Sequence, residues 1–217
     1  VYGDVSDIES LSGCFKQLPS DIHYLVYTVA PAERTEGAYH AAYPEGVKNC
    51  LACIDTHMLQ GFLLVTSTAV YHQQQGEWVD ESTETVPTSF SGQKLLAAED
   101  VLRNSAVKGV AVRLGGIYGP GRERLIKKVK NGCEINRAIP AYTNRIHRDD
   151  CAGILSYLIQ MIDSGREVGS CYVGVDSHPV PEWDVLCCIA GLLNINGPVD
   201  NKNLQVIRQN KRCRNDR

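Results

Sequence analysis

The chain reads as an α/β protein, a parallel sheet with helices on both faces, and three observations carry that reading. Short, mostly apolar runs of strand length alternate with longer segments whose apolar residues recur at spacings of three and four. The short runs are rich in Val, Ile, Leu and Tyr, the composition of buried parallel strands. With 217 residues, 43% hydrophobic and 22% charged, the chain suffices for one core of ordinary size, or one domain with a small appendage.

The elements follow in order. "IHYLVYTV" (22–29) is the first strand and "GAYHAAYPEGVKNCLACIDTHML" (37–59) the first long helix. "GFLLVTST" (61–68) is the second strand, and the polar, Pro-bounded "YHQQQGEWVDESTETVPTS" (71–89) follows its carboxyl end, where open α/β sheets place ligands. A functional rim is expected there. "SGQKLLAAEDVLRNS" (91–105) is the next helix and "GVAVRLGGIYG" (109–119) the third strand. Beyond it the alternation breaks, so residues 1–120 form the core. Residues 121–217 complete the sheet with helix 148–165 and strand 170–175, and add a small substrate-side lobe.

Composition excludes several function classes. A formal charge of -3 and a pI near 6.1 give no electrostatic reason to bind nucleic acid or an anionic membrane, which leaves a small molecule as the expected partner. The longest apolar runs, such as "VLCCIAGLL" (185–193), fall short of the roughly 18 residues of a membrane span, and no basic-then-apolar leader opens the sequence. A cytoplasmic location is expected. The nine cysteines are odd in number and form neither a disulfide ladder nor paired ligand sets, which suits a reducing compartment. Cys50, Cys53 and His57 would share a helix face with Val47 and Ile54 nearby, so they read as small buried hydrophobes and no metal is expected.

"VTSTAVYHQQQGEWVDESTETVPTSFSGQKLLAAEDVL", then "VRLGGIYGPGR", "NRIHRDD" and "CYVGVDSHPV", resemble in their order the NAD-dependent epimerase/dehydratase family, the extended and atypical short-chain dehydrogenases/reductases. The resemblance runs from about residue 3 to about residue 190 and is nearest to the atypical, YeeZ-like members. It implies a Rossmann-like, doubly wound sheet and an NAD or NADP cofactor. It also implies a reaction centre made of a strand-end hydroxyl, a tyrosine and a lysine four residues after it.

By position, Ser67 is the hydroxyl, Lys94 is the lysine, and Phe90 stands where the tyrosine belongs. In such a centre the hydroxyl polarises a carbonyl or alcohol, while the lysine holds the cofactor ribose and lowers the phenol's pKa from about 10 toward working pH. Phe90 cannot donate a proton, and losing a positioned acid or base typically forfeits about 10²- to 10⁴-fold in rate. Tyr71, four residues past Ser67, is a candidate replacement, although packing beside the cofactor suits it as well. Ser89 and Ser91 flank Phe90 but are too weakly acidic to act without a base, and Lys94 could shuttle a proton alone if desolvated. The simpler roles for Ser67 and Lys94 are a strand-end cap and a surface helix lysine.

The resemblance carries some cofactor contacts over as well. Asp4 in "GDVSD" matches an acid that approaches the adenine, though a turn acid would look the same. Ala30 and Pro31 match the turn that passes the pyrophosphate and nicotinamide ribose, and Gly116 the stretch near the nicotinamide, where glycine permits close backbone approach. Lys94 counts among the cofactor contacts too. His147 and Asp150 match a motif of the substrate lobe and read as a structural hydrogen bond and a helix cap. Arg122, Arg124, Lys127, Lys128 and Lys130 read as a solvated face, with a grip on an acidic or phosphorylated substrate as the alternative. Arg208, Lys211, Arg212, Arg214 and Arg217 read as a frayed basic tail.

A dinucleotide site also calls for a first strand, a Gly-rich turn and a helix N-terminus, a unit of about 30 residues or more that does not precede Asp4. The expectation is therefore a chain cropped at both ends, with strand 22–29 left as an apolar edge. The functional expectation is an atypical NAD(P)-dependent oxidoreductase or epimerase-like protein acting on a small, sugar-linked or simple, carbonyl or alcohol. The alternative is a catalytically silent dinucleotide-sensing or protein-interaction module. A homodimer through helices 37–59 and 91–105 is expected from the resemblance.

Overall fold

The computed structural model describes residues 1–176, 178–205 and 210–216. Helix α1 (Ile8–Phe15) opens the chain and is capped by Asp7, whose carboxylate accepts from the amides of Glu9 and Ser10. Strand β1 (Tyr24–Tyr27) follows. Then comes one long helical rod: α2 (Glu36–His40), a π-helical turn (Ala41–Glu45) and α3 (Gly46–Cys53). Pro44 explains the wide turn, because proline has no N–H to donate and its ring crowds the preceding carbonyls of a regular helix.

Next are β2 (Gly61–Ser67), a 3-10 turn (Thr68–Val70), β3 (Gln75–Val79), α4 (Phe90–Arg103), β4 (Gly109–Leu114) and β5 (Gly116–Tyr118). They lead into α5 (Arg124–Lys130), β6 (Glu134–Ile135), β7 (Tyr142–Thr143), β8 (Arg145–His147) and α6 (Arg148–Asp163). The chain continues through β9 (Cys171–Gly174), β10 (Val180–Pro181), α7 (Glu182–Leu193), β11 (Val199–Asp200) and β12 (Asn210–Cys213).

The central sheet is parallel and four-stranded, in the order β1-β2-β4-β9, with Tyr24 opposite Gly61 and Tyr27 opposite Leu64. This is the Rossmann-like α/β arrangement that the alternation of patterns predicts. In β2, Phe62, Leu63 and Leu64 are all fully buried, as a parallel strand covered on both faces requires. β1 stands at one end of this sheet, with Val26 exposed and Tyr27 buried.

The chain divides into two compact units, each discontinuous in sequence. The first comprises Val1–His72, Glu84–Arg113 and Gly153–Tyr172. Its core gathers Leu11, Val47, Cys50, Phe62, Leu64 and Leu102, each worth about 1.5–3 kcal/mol on burial for the larger aliphatic and aromatic side chains. Burial pushes the Cys50 thiol up to about 12, so it is an apolar filler there. The second unit comprises Gln73–Thr83, Leu114–Ala152 and Val173–Arg217, with Val129, Leu186 and Ala190 at a small core of its own.

Four expectations need correction. The single strand expected over 109–119 is two, because the chain turns away at Gly115. A side chain on Gly115 would meet the Asn144 carbonyl oxygen at 2.8 Å, and β5 pairs instead with β8, Gly116 opposite Arg145. The loop expected over 71–89 contains β3, which pairs with β12. The basic tail is thus no frayed terminus: the Arg212 guanidinium lies over the rings of Trp78 and Tyr142, and Arg214 pairs with Asp80. Arg208 and Arg217 lie outside the described residues. The helix expected over 37–59 ends at Cys53.

Candidate active site

Ser67 ends β2 and caps the 3-10 turn after it, its Oγ accepting from the Ala69 amide at 3.2 Å. Helix α4 is set against that turn. Its N-cap Ser89 accepts from the Gly92 amide at 3.2 Å, and a Cβ on Gly92 would sit 2.4 Å from the Ala69 carbonyl oxygen and 2.7 Å from the Pro87 Cβ. Only glycine allows this approach. The Ser89 and Ser91 hydroxyls lie 3.2 Å apart and hydrogen-bond to each other.

Phe90 and Lys94, four residues apart, share the opposite face of α4, about 200° round the helix from Gly92. That face meets α2. The Phe90 ring takes Tyr39 in a perpendicular contact with centroids 5.4 Å apart, and Tyr39 stacks obliquely on Tyr43 at 5.6 Å. One turn along on both helices, Lys94 Nζ pairs with Glu36 at 3.0 Å. The Lys94 side chain is 24% exposed and that of Glu36 64%, so the pair is a surface one worth about 1 kcal/mol or less, and a ligand can compete for the lysine.

Behind this face runs a buried polar network that sequence reasoning missed. Arg113 on β4 donates to both Glu99 carboxylate oxygens, the shortest contact being 2.7 Å, and Thr66 donates to Glu99 at 2.7 Å. Arg113 also donates to the Tyr71 hydroxyl at 2.9 Å and lies over its ring. Burial alone would lower the guanidinium's pKa, but the Glu99 carboxylate outweighs it and holds Arg113 firmly protonated. The network ties β2 beside Ser67 to α4 and β4. The structure thus places the Tyr71 phenol in this network, in contact with Arg113.

Asp4 and the turn after β1 come together at a shallow concavity of about 480 Å³, lined by Tyr2, Gly3, Asp4, Val5, Ser10 and Val29; Ala30 and Pro31 follow directly. Asp4 Oδ1 accepts from the Ser6 amide at 2.9 Å and hydroxyl at 2.7 Å, which holds its carboxyl below the usual range. Oδ2 has no partner among the described residues. An open hollow at a strand's carboxyl end, carrying an anionic acceptor, fits the amine-bearing base of a dinucleotide.

In the second unit, the Gly116 amide donates to the Asn144 carbonyl at 2.7 Å. His147 precedes α6 and caps it, Nδ1 accepting from the Asp149 amide at 3.3 Å, with Tyr118 edge-on at 5.3 Å. Asp150 sits in the first turn of α6, where the helix dipole favours an acid. Lys128, from the basic run, pairs with Glu182 at 2.9 Å.

No family model and no curated protein matches the chain. Solved structures do. A Methylobacillus flagellatus protein assigned as an NAD-dependent epimerase/dehydratase is 34% identical, with a TM-score of 0.80 over 99% of this chain and 74% of that one. The Bordetella bronchiseptica enzyme WbmG, solved with NAD and UDP, is 18% identical, with a TM-score of 0.74 over 92% of this chain and 65% of that one. A human epimerase family protein, solved with NADPH, is 17% identical, with a TM-score of 0.71 over 88% and 68% respectively. The latter two share the fold.

Proposed function

The chain belongs to the NAD-dependent epimerase/dehydratase family, and from that premise we propose that it is an NAD(P)-dependent oxidoreductase or epimerase-like protein acting on a small carbonyl or alcohol. The observation that supports this reading best is the 34% identity to the Methylobacillus flagellatus protein over 99% of this chain. A bound nicotinamide dinucleotide would donate or accept the hydride. Asp4 would hold its base, the backbone of Ala30 and Pro31 would pass close to it, and Lys94 would bind ribose hydroxyls. Ser67 Oγ would hydrogen-bond the substrate oxygen, exchanging its bond to the Ala69 amide for one of similar strength. The dinucleotides in the WbmG and human structures support the cofactor, and the UDP of WbmG supports a sugar-linked substrate.

Phe90 favours a second reading, a dinucleotide-sensing module that keeps the scaffold without turnover. Fluorescence titration of the full-length protein with NADH and NADPH, followed by assay on UDP-glucose and cyclohexanone, separates the two. Turnover that falls about 10²-fold or more in Lys94→Ala supports the enzyme. Saturable binding without turnover supports the sensor. Absence of binding sinks both.

A further inference from the structure

We propose that the second unit carries a ligand site of its own, a slot for a small zwitterion with an apolar body, of which an aromatic α-amino acid is the chemical class. The slot lies between residues 135–141 and the β10–α7 junction and encloses about 220 Å³. Ile135, Ile139, Pro140, Pro181 and Trp183 form apolar walls, and Arg137 and Asp184 add charges of opposite sign. Hydrogen bonds hold these walls in place. Asn136 is buried, its side-chain amide donating to the Lys202 and Leu204 carbonyls at 3.2 and 3.1 Å while its Oδ1 accepts from the Ala138 amide at 3.1 Å. The Arg137 amide donates to the Asp200 carboxylate at 3.1 Å. Opposite, the Glu182 amide donates to the Ala141 carbonyl at 2.8 Å and Pro181 faces Tyr142 in the β7–β10 pair, which fixes the start of α7. A preformed slot spares a ligand much of the ordering cost of binding.

The chemistry of the occupant follows from what lines the slot. The Arg137 guanidinium lies over the Trp183 ring, 5.5 Å from its centroid, a stacking that holds the cation in place and leaves its N–H edge for an anion. Lys128 and Glu182 pair with each other at 2.9 Å, whereas Arg137 and Asp184 form no ion pair among the described residues. Both charges reach one thiol: partial desolvation raises the pKa of Cys187, Asp184 raises it further and Arg137 opposes them. A carboxylate on Arg137, an ammonium on Asp184 and a ring against the prolines and isoleucines use every part of the slot. Its 220 Å³ is room for roughly seven waters and lies below the roughly 300–1,000 Å³ of sites for drug-sized ligands, so a dinucleotide or a nucleotide-sugar is too large. The phosphate of a mononucleotide would set a like charge beside Asp184.

The test is isothermal titration calorimetry on the full-length protein with L-phenylalanine and no dinucleotide, so its outcome is separate from that of the oxidoreductase reading. Saturable binding at one site per chain is expected. Arg137→Gln and Asp184→Asn are each expected to weaken it about tenfold or more, with urea midpoints little changed because both side chains are exposed. 3-Phenylpropionate, which lacks the ammonium, is expected to bind the native protein about tenfold more weakly than phenylalanine and not to be weakened further by Asp184→Asn. Absence of saturable binding, phenylalanine affinity unchanged in either variant, or tighter binding of UMP than of phenylalanine overturns the proposal.

Discussion

Glu99 and Arg113 show how single residues hold this site in shape. Both are almost fully buried, at 2% and 4% exposure, so each charge depends on the other for the solvation that water would give it. Removing one partner strands the other. Glu99→Ala is expected to cost about 3–5 kcal/mol in urea denaturation, whereas Thr66→Val, which deletes one neutral donor, is expected to cost about 1 kcal/mol. Equal effects from the two would mean that the charge pair is not the centre of the network. Ser67, Phe90 and Lys94 were singled out as candidates by spacing within a familiar order of motifs. Glu99 and Arg113 were not, because Arg113 is a lone charge in an apolar strand and Glu99 stands beside Asp100 on a helix, and only the fold shows that "AVRL" and "AAED" face one another.

At the scale of elements, α4 depends on an absence. Gly92 lies where any Cβ would overlap the Ala69 carbonyl, and a carbonyl fixed in a 3-10 turn cannot yield as a flexible side chain can. Gly92→Val is therefore expected to lift the first turn of α4, cost about 1–3 kcal/mol in thermal denaturation, and weaken the contact of Phe90 with Tyr39. A melting curve indistinguishable from the native one would refute the packing described here. The strands of the central sheet and the helices between them were readable because apolar periodicity is a local signal. β3 and β12 escaped because "QGEWV" and "NKRC" are polar and pair only with each other, from distant parts of the chain. α1 escaped because it is short, although its Asp7 cap was present in the sequence. The division of 109–119 into two strands turned on Gly115, whose glycine pair read equally well as an approach to a ligand.

For the whole molecule, family membership rests on a layout shared over nearly the full chain. The order of motifs along the chain carried the family resemblance, and the 34% identity over 99% of the chain bears it out. Asp4, Ser67, Phe90 and Lys94 belong to one unit, while Gly116, His147 and the basic helix belong to the other, an interleaving that chain order conceals. The claim on which everything else depends is that the face of α4 carrying Phe90 and Lys94 is the face that meets the cofactor. A crystal structure of the full-length protein with NADH tests it most directly. The account predicts Lys94 Nζ within about 3 Å of a ribose hydroxyl, with its pairing to Glu36 released. A dinucleotide bound away from α4, with Lys94 still paired to Glu36, would contradict it.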